Sequence, residues 1–178
     1  TGTAIDGEGG TDTLISIEQL EGSNLGDSLT GSINADYVSG LDGNDTINGL
    51  GSGDLIDGGA GDDVVNAAEG ADTVVGGLGN DQLYGQGGDD TLDGGADSDI
   101  LHGGLGSDVY LFGRGDGQDA VLNNDVGDQP DPLRWPYGTG LYLHSDHAST
   151  TDILRFKAGI TAEDLIVSRN GAHLVIGL

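Results

Sequence analysis

The chain of 178 residues contains no cysteine and no methionine, and only five of its residues are basic. Without cysteine there is neither a disulfide framework nor a cysteine-based zinc or iron–sulfur site, so packing, hydrogen bonds or a hard cation must hold the fold. Acidic residues number 31, which gives a net charge of −26. So strong a negative charge argues against nucleic acid and anionic membrane surfaces as partners.

Long apolar runs are also missing. No stretch approaches the roughly 18–20 apolar residues that cross a bilayer, and no signal-peptide pattern opens the chain. We therefore predict a soluble protein without a membrane span. Because the chain does not begin with methionine, we expect it to be part of a longer protein that contains other domains.

Charge and glycine are distributed unevenly along the chain. Residues 1–113 contain 22 acidic residues and no lysine or arginine, and 27 of the 36 glycines precede residue 112. In this acidic part aspartate outnumbers glutamate by 18 to 4, and a short carboxylate suits a turn or an ion cage. The change in composition predicts two regions, 1–111 and 112–178.

The acidic region repeats with a period of nine residues. Its aspartates recur without a slip for ten units, at Asp27, Asp36, Asp45, Asp54, Asp63, Asp72, Asp81, Asp90, Asp99 and Asp108. An apolar residue follows each aspartate by two positions, as in Asp63 and Val65, and a glycine usually precedes it by five, as in Gly58. A frayed eleventh copy begins at Gly7, separated from the others by residues 16–21.

This pattern resembles the haemolysin-type calcium-binding (RTX) repeat, G-G-x-G-x-D-x-U-x with U apolar, over about 60% of the chain. The fullest copies begin at Gly58, Gly76 and Gly103. The resemblance implies an all-β fold, a right-handed parallel β-roll.

Elementary physics leads to a similar architecture. The glycine-rich six residues of each repeat can turn, and the remaining three, x-U-x, form a minimal strand with one buried side chain. Two repeats, or 18 residues, then complete one coil of a flattened solenoid with two parallel sheets. Val, Ile and Leu from both sheets fill a thin core.

Stacking of the coils predicts the ligand. Aspartates 18 residues apart fall about 4.8 Å apart in two ladders, one through Asp45, Asp63, Asp81 and Asp99 and the other through Asp36, Asp54, Asp72, Asp90 and Asp108. Such columns of carboxylates repel one another unless a cation lies between them. Calcium–oxygen distances of about 2.3–2.6 Å match half that spacing, whereas magnesium binds at about 2.0–2.1 Å and keeps its waters. Calcium is therefore the expected ion.

The resemblance implies that each ion lies between two stacked loops and takes carboxylates of the aspartates together with backbone carbonyls of the first loop positions. Besides the aspartates of the two ladders, the predicted ligand residues are Gly40, Gly43, Gly58, Gly59, Gly61, Gly76, Gly77, Gly79, Gly85, Gly88, Gly94, Gly95, Gly103, Gly104 and Gly106. Ten loops in two ladders give about eight calcium ions. We expect weaker sites at the loops ending in Asp27, Asp36 and Asp99, where Leu25, Asn34 and Asp97 replace the usual glycine.

Residues 112–178 differ in kind. The sequence FGRGDGQD from Phe112, then residues 152–156 and 159–165, resembles the segment that often closes an RTX array. Thr161 and Asp164 can cap a helical turn, and residues 165–169 and 172–176 around Asn170-Gly171 predict a capping β-hairpin. An insertion at about 123–151 has no predicted structure.

Two function classes remain open. One is a non-catalytic calcium-binding module of a secreted toxin or adhesin, which folds on extracellular calcium after one-step export. The other is the carboxyl-terminal part of a secreted enzyme such as a protease, lipase or alginate epimerase, whose catalytic residues would lie outside this chain. Ice binding through a threonine ladder is weaker, because the outward positions show no regular array. We predict that the fragment itself is not an enzyme.

Overall fold

Every regular element that the structure describes is a β-strand. The computed structural model describes residues 2–5, 12–14, 18–123, 141–145, 153–161, 166–170 and 173–177. None of these stretches forms a helix that could pass through a membrane.

The strands form two sheets. The larger sheet has eleven strands, in the order β17-β18-β15-β14-β12-β10-β8-β6-β4-β1-β2, and the smaller has seven, in the order β16-β13-β11-β9-β7-β5-β3. In chain order the strands are β1 (Gly2–Ile5), β2 (Asp12–Leu14), β3 (Gln19–Glu21), β4 (Ser28–Thr30), β5 (Tyr37–Asp42), β6 (Thr46–Asn48), β7 (Leu55–Ala60), β8 (Val64–Glu69), β9 (Thr73–Leu78), β10 (Gln82–Gly87), β11 (Thr91–Ala96), β12 (Ile100–Leu105), β13 (Val109–Phe112), β14 (Ala120–Asn123), β15 (Leu141–Ser145), β16 (Ile153–Phe156), β17 (Ile166–Asn170) and β18 (His173–Gly177).

Within the repeats each strand pairs in parallel with the strand 18 residues later. In the larger sheet Val65 pairs with Leu83 and Leu83 with Leu101; in the smaller sheet Ile56 pairs with Val74. Consecutive strands therefore alternate between the sheets, and two repeats complete one coil. This confirms the predicted all-β parallel roll and its 18-residue coil.

The core is a single file of apolar side chains between the two sheets. The apolar residue of every repeat is buried, and none is more than 2% exposed. They are Leu29, Val38, Ile47, Ile56, Val65, Val74, Leu83, Leu92, Leu101 and Tyr110. Each aspartate thus lies two residues before a buried anchor, and this anchor fixes the position of its carboxylate.

The predicted three-residue strands were too short. In the middle of the roll the strands have six residues, as in Leu55–Ala60, because the first three residues of each loop also join the sheet. Gly59 pairs with Gly77 and Ala60 with Leu78. The chain changes direction at residues with positive φ, which include the sheet-paired Gly59 at 106° and Gly61 at 133°. The glycine-rich loops therefore hold their carbonyls in fixed positions between neighbouring coils.

The amino-terminal end departs from the parallel stack. Strand β1 pairs antiparallel with β4, and β2 pairs antiparallel with β1. The frayed copy from Gly7 therefore does not add a parallel coil, and residues 6–11 lie outside the described part of the chain. By contrast, Leu20 in the apparent interruption at 16–21 pairs with Val38 and is only 8% exposed, so it extends the core.

The carboxyl-terminal region continues both sheets. Strand β14 pairs in parallel with β12 and β15, and β16 with β13. The predicted hairpin is present one residue later than expected, with Asn170 opposite His173, and its strand β18 pairs antiparallel with β15. The expected helical cap at Thr161–Asp164 involves residues 162–165, which lie outside the described part. Within the insertion, the structure describes Asn123, the last residue of β14, and Leu141–Ser145.

Candidate metal centre

The repeat aspartates form two continuous ladders of hydrogen bonds. The backbone amide of each aspartate donates to Oδ1 of the aspartate one coil later, at N–O distances of 2.7 to 3.0 Å. Asp45, Asp63 and Asp81 are consecutive members of one ladder. Each carboxylate therefore ties two coils together and has a fixed orientation.

The second carboxylate oxygen of most of these residues has no partner. From Asp45 to Asp99, Oδ2 of all seven ladder aspartates is buried and accepts no hydrogen bond, and none of these residues is more than 3% exposed. They are Asp45, Asp54, Asp63, Asp72, Asp81, Asp90 and Asp99. A buried carboxylate oxygen without a partner is costly, so seven in register point to a missing positive charge or proton.

These Oδ2 atoms lie beside backbone carbonyls of the next coil. A methyl group placed on Gly58 would lie 2.5 Å from Asp63 Oδ2 and 2.7 Å from the Gly76 carbonyl oxygen. The same holds at Gly49, with Asp54 Oδ2 at 2.5 Å and the Ala67 carbonyl oxygen at 2.7 Å. Both oxygens can only accept hydrogen bonds, so they need a cation, a proton or an added donor between them.

Burial and mutual repulsion raise the pKa values of these carboxyl groups. Loss of hydration, opposed by a backbone amide hydrogen bond and reinforced by repulsion from the aspartates one coil away, raises the pKa of Asp63, Asp90 and Asp99 to about 7. For the same reasons the pKa of Asp54 and Asp81 is about 6. Without a cation, folding therefore destabilises the ionised form of these aspartates near neutral pH.

The donor set fits a hard divalent cation. In the described ranges no three acidic or histidine side chains converge on one point, so an ion between coils must also take carbonyl oxygens. A mixture of carboxylate and carbonyl oxygens, with no sulfur and no imidazole, is what calcium prefers. The separation of adjacent parallel strands, about 4.8 Å, is also twice a calcium–oxygen distance.

The predicted loop glycines occupy three distinct places in this arrangement. Those in the first loop position lie against Oδ2 of their own aspartate: Gly40, Gly58, Gly76, Gly85, Gly94 and Gly103. Those in the second and fourth positions have positive φ: Gly43, Gly59, Gly61, Gly77, Gly79, Gly88, Gly95, Gly104 and Gly106. The glycines thus leave space beside the carboxylate and shape the carbonyl-lined turn.

The three loops expected to be weaker behave differently from one another. Asp97 adopts the usual positive φ, at 80°, and Asp99 Oδ2 still lacks a partner. Leu25 and Asn34 are not among the residues with positive φ, and the carboxylates of Asp27 and Asp36 accept hydrogen bonds within their own loops. The missing glycine therefore matters at the first two loops and not at the Asp99 loop.

Sequence reasoning missed one member of the ladders. The amide of Asp99 donates to Oδ1 of Asp119 at 3.1 Å, although Asp119 lies 20 residues later and is out of phase with the repeat. Burial, opposed by the Asp99 amide and reinforced by Asp116, raises the pKa of Asp119 to about 7. The signal was present in Asp119-Ala120-Val121, which repeats the pattern of an aspartate two residues before a buried apolar side chain.

A further ladder of hydrogen bonds, the outer ladder, runs along one outer edge of the loops through Asn44, Asp62, Asn80 and Ser98. The amide of Asp62 donates to the Asn44 side-chain oxygen, that of Asn80 to Asp62 and that of Ser98 to Asn80, at 3.0, 2.8 and 3.3 Å. Each of these residues immediately precedes an aspartate of the two buried ladders, which we call the metal ladders: Asp45, Asp63, Asp81 and Asp99. Carboxylate pairs such as Asp62 and Asp63 therefore have separate roles, one outside the turn and one inside it.

Removing one side chain from this outer ladder should weaken the roll modestly. Asn80→Ala loses the bond to the Ser98 amide and the side-chain bond to Asp62, and we expect a loss of about 1 kcal/mol in unfolding free energy. Ser98→Ala is the matched control, since only its backbone amide takes part. Urea unfolding in calcium should separate the two variants, and equal stabilities would contradict a structural role for the outer ladder.

Comparison with known proteins agrees with this geometry. The family model for the RTX calcium-binding nonapeptide repeat matches residues 21–56, 49–83 and 84–119, which together cover more than half of the chain and reach Asp119. None of the curated proteins compared with the chain matches it. The phased repeats, the parallel roll and the family match lead to one conclusion: the chain belongs to the family of RTX calcium-binding nonapeptide repeat proteins.

Proposed function

We propose that this chain is a calcium-dependent folding module of a secreted protein, which stays unfolded until it meets extracellular calcium. The observation that carries the proposal is the stack of buried Oδ2 atoms without a hydrogen-bond partner, five of which, from Asp45, Asp54, Asp63, Asp81 and Asp90, lie beside a backbone carbonyl of the next coil. Without an ion, folding would force acceptors and negative charges together. With calcium between the coils, the same atoms become ligands.

The energetic argument concerns the balance between burial and ordering. Fixing the backbone costs about 1–2 kcal/mol per residue, while each repeat of nine residues buries only one large apolar side chain. The 22 acidic residues of the first 113 also repel one another. Because only the folded roll has the sites, binding free energy from calcium adds directly to the free energy of folding.

The affinity expected of such sites supports a location outside the cell. Extracellular calcium modules bind at about 10⁻⁴–10⁻³ M, far above the free calcium of cytosol. The module would remain unfolded where it is made, pass through a one-step export system as an extended chain and fold outside. The lack of cysteine is compatible with this route, since no disulfide has to form.

The module itself is proposed to be non-catalytic. In the metal ladders the carboxylates are buried, locked by amide bonds to neighbouring coils and aimed at carbonyls, so no substrate could reach them. Any enzymatic activity of the parent protein would then belong to another part of it. An adhesin, a toxin or a secreted enzyme could each use such a module.

A calcium titration followed by far-UV circular dichroism tests the proposal. The chain in excess chelator should lack the strand signal and gain it cooperatively at about 10⁻⁴–10⁻³ M calcium. Magnesium at the same concentrations is the control and should not induce folding, because its shorter bonds and retained waters do not suit the coil spacing. A chain that is fully folded at neutral pH in chelator, or folds equally well in magnesium, would contradict the proposal.

A further inference from the structure

The first coil differs from the others in what its carboxylates contact. The amide of Ser23 donates to Asp27 Oδ2 at 2.6 Å, and the Ser23 hydroxyl lies 2.9 Å from the same oxygen. In the second loop, the amide of Ser32 donates to Asp36 Oδ2 at 2.5 Å, and its hydroxyl lies 3.3 Å from Asp36 Oδ1. Two protein donors therefore serve each of these carboxylates.

The Ser23 and Ser32 amides donate to Oδ2, the carboxylate oxygen that has no hydrogen-bond donor in the coils from Asp45 to Asp99. A methyl group on Gly22 would lie 2.8 Å from Asp27 Oδ2 and 2.6 Å from the Gly40 carbonyl oxygen, the same pair of oxygens that faces the gap in other coils. The difference arises at the second loop position. There, later loops have positive φ, whereas Ser23 and Ser32 do not.

The opposite end of one ladder is closed by another hydroxyl. The Tyr110 side chain is 1% exposed, and its oxygen accepts a hydrogen bond from the Gly103 amide at 3.0 Å. A methyl group on Gly103 would contact both this hydroxyl and Asp108 Oδ2. In this ladder, the space beyond Asp108 is therefore filled by a side chain of the core.

The other ladder is extended instead of closed. Asp99 Oδ2 is buried and has no hydrogen-bond partner, and the next coil offers Asp119, whose Oδ1 already accepts from the Asp99 amide. Asp119 is only 6% exposed. The gap between Asp99 and Asp119 therefore has the carboxylate pair of a repeat site despite two extra residues in the connecting chain.

We propose that protein donors replace calcium in the first coil, and that the roll binds seven calcium ions, one beside Oδ2 of each ladder aspartate from Asp45 to Asp99. The inference rests on the proposed calcium-dependent folding. One of the seven sites lies between Asp99 and Asp119, outside the nonapeptide phase. The sites beside Asp27 and Asp36 are closed by Ser23 and Ser32, and the one beside Asp108 by Tyr110. The first coil is thus a metal-independent end of the stack.

Counting bound ions by native mass spectrometry tests this assignment, with the count taken from the folded charge states at saturating calcium. The full chain should carry seven ions. Asp27→Asn and Asp36→Asn should leave that number unchanged, whereas Asp63→Asn and Asp119→Asn should each lower it by at least one. The asparagine variants keep Oδ1 as an acceptor, so the coils stay hydrogen-bonded.

The outcomes separate this assignment from the underlying function. A chain that carries no calcium and shows no calcium-induced folding would overturn the proposed function itself. A chain that folds on calcium but loses an ion in Asp27→Asn or Asp36→Asn, or keeps the full count in Asp119→Asn, would overturn only the assignment of sites.

Discussion

In excess chelator, acidification from about pH 7 to about pH 4 should increase the folded fraction of the roll, the opposite of ordinary acid denaturation. The pKa values of Asp63, Asp90 and Asp99 are about 7 in the metal-free fold, raised first by burial and then by neighbouring carboxylates. In the unfolded chain these groups return to an ordinary pKa near 3.9. Below pH 7 the folded state therefore binds more protons than the unfolded state.

The sign follows from proton linkage. Each such group penalises folding when both states are ionised, and the penalty disappears as the pH falls through the folded pKa toward the unfolded one. A proton on Oδ2 could also donate to the facing carbonyl, as between Asp63 and Gly76. Because at least six ladder carboxyl groups have a pKa of about 6 or 7, their effects accumulate.

Circular dichroism and amide hydrogen exchange across this pH range would measure the effect. In calcium, the same acidification should lower the apparent calcium affinity, since protons compete for the same oxygens. Calcium and chelator should therefore give opposite responses to falling pH. A metal-free chain that loses strand signal steadily from pH 7 to pH 4 would contradict the raised pKa values.

The sequence predicted the ladders because their cause is local and periodic. An aspartate two residues before an apolar residue, repeated every nine positions, places both side chains wherever the coil stacks. Val65, Leu83 and Leu101 accordingly lie in register, and Asp63, Asp81 and Asp99 with them. Nothing beyond the period of the sheet and the burial of one side chain was needed.

The failures occurred where the period breaks but the packing continues. Leu20 joins the core without a loop aspartate before it, and Asp119 joins a ladder after two extra residues. A fixed spacing cannot detect either, although each lies beside an element that does follow the period. Ser23 illustrates a different limit, because its amide bond to Asp27 depends on a backbone angle that the residue type does not determine.

A single substitution at the centre of the roll should have opposite effects with and without calcium. In Asp81→Asn, Oδ1 can still accept from the Asp63 amide, now at 2.9 Å, and the new amide group can donate to the Gly94 carbonyl beside Oδ2. At pH 7 in chelator, this removes a buried charge whose pKa is about 6. We expect the metal-free fold to gain on the order of 2–3 kcal/mol.

In saturating calcium the same variant should be destabilised, because the ion between two coils loses a charged ligand. Loss of one site is worth about 2.7 kcal/mol when calcium exceeds its dissociation constant a hundredfold. Asp97→Asn is the matched control, since it removes the same charge from an exposed turn position whose positive φ, 80°, asparagine tolerates. Urea unfolding of both variants with calcium and with chelator would show the reversal. If Asp81→Asn changed the unfolding free energy with the same sign in both conditions, the Asp81 carboxylate would not bind a cation. Opposite signs would show that its buried charge, which destabilises the metal-free fold, stabilises the roll when calcium is bound.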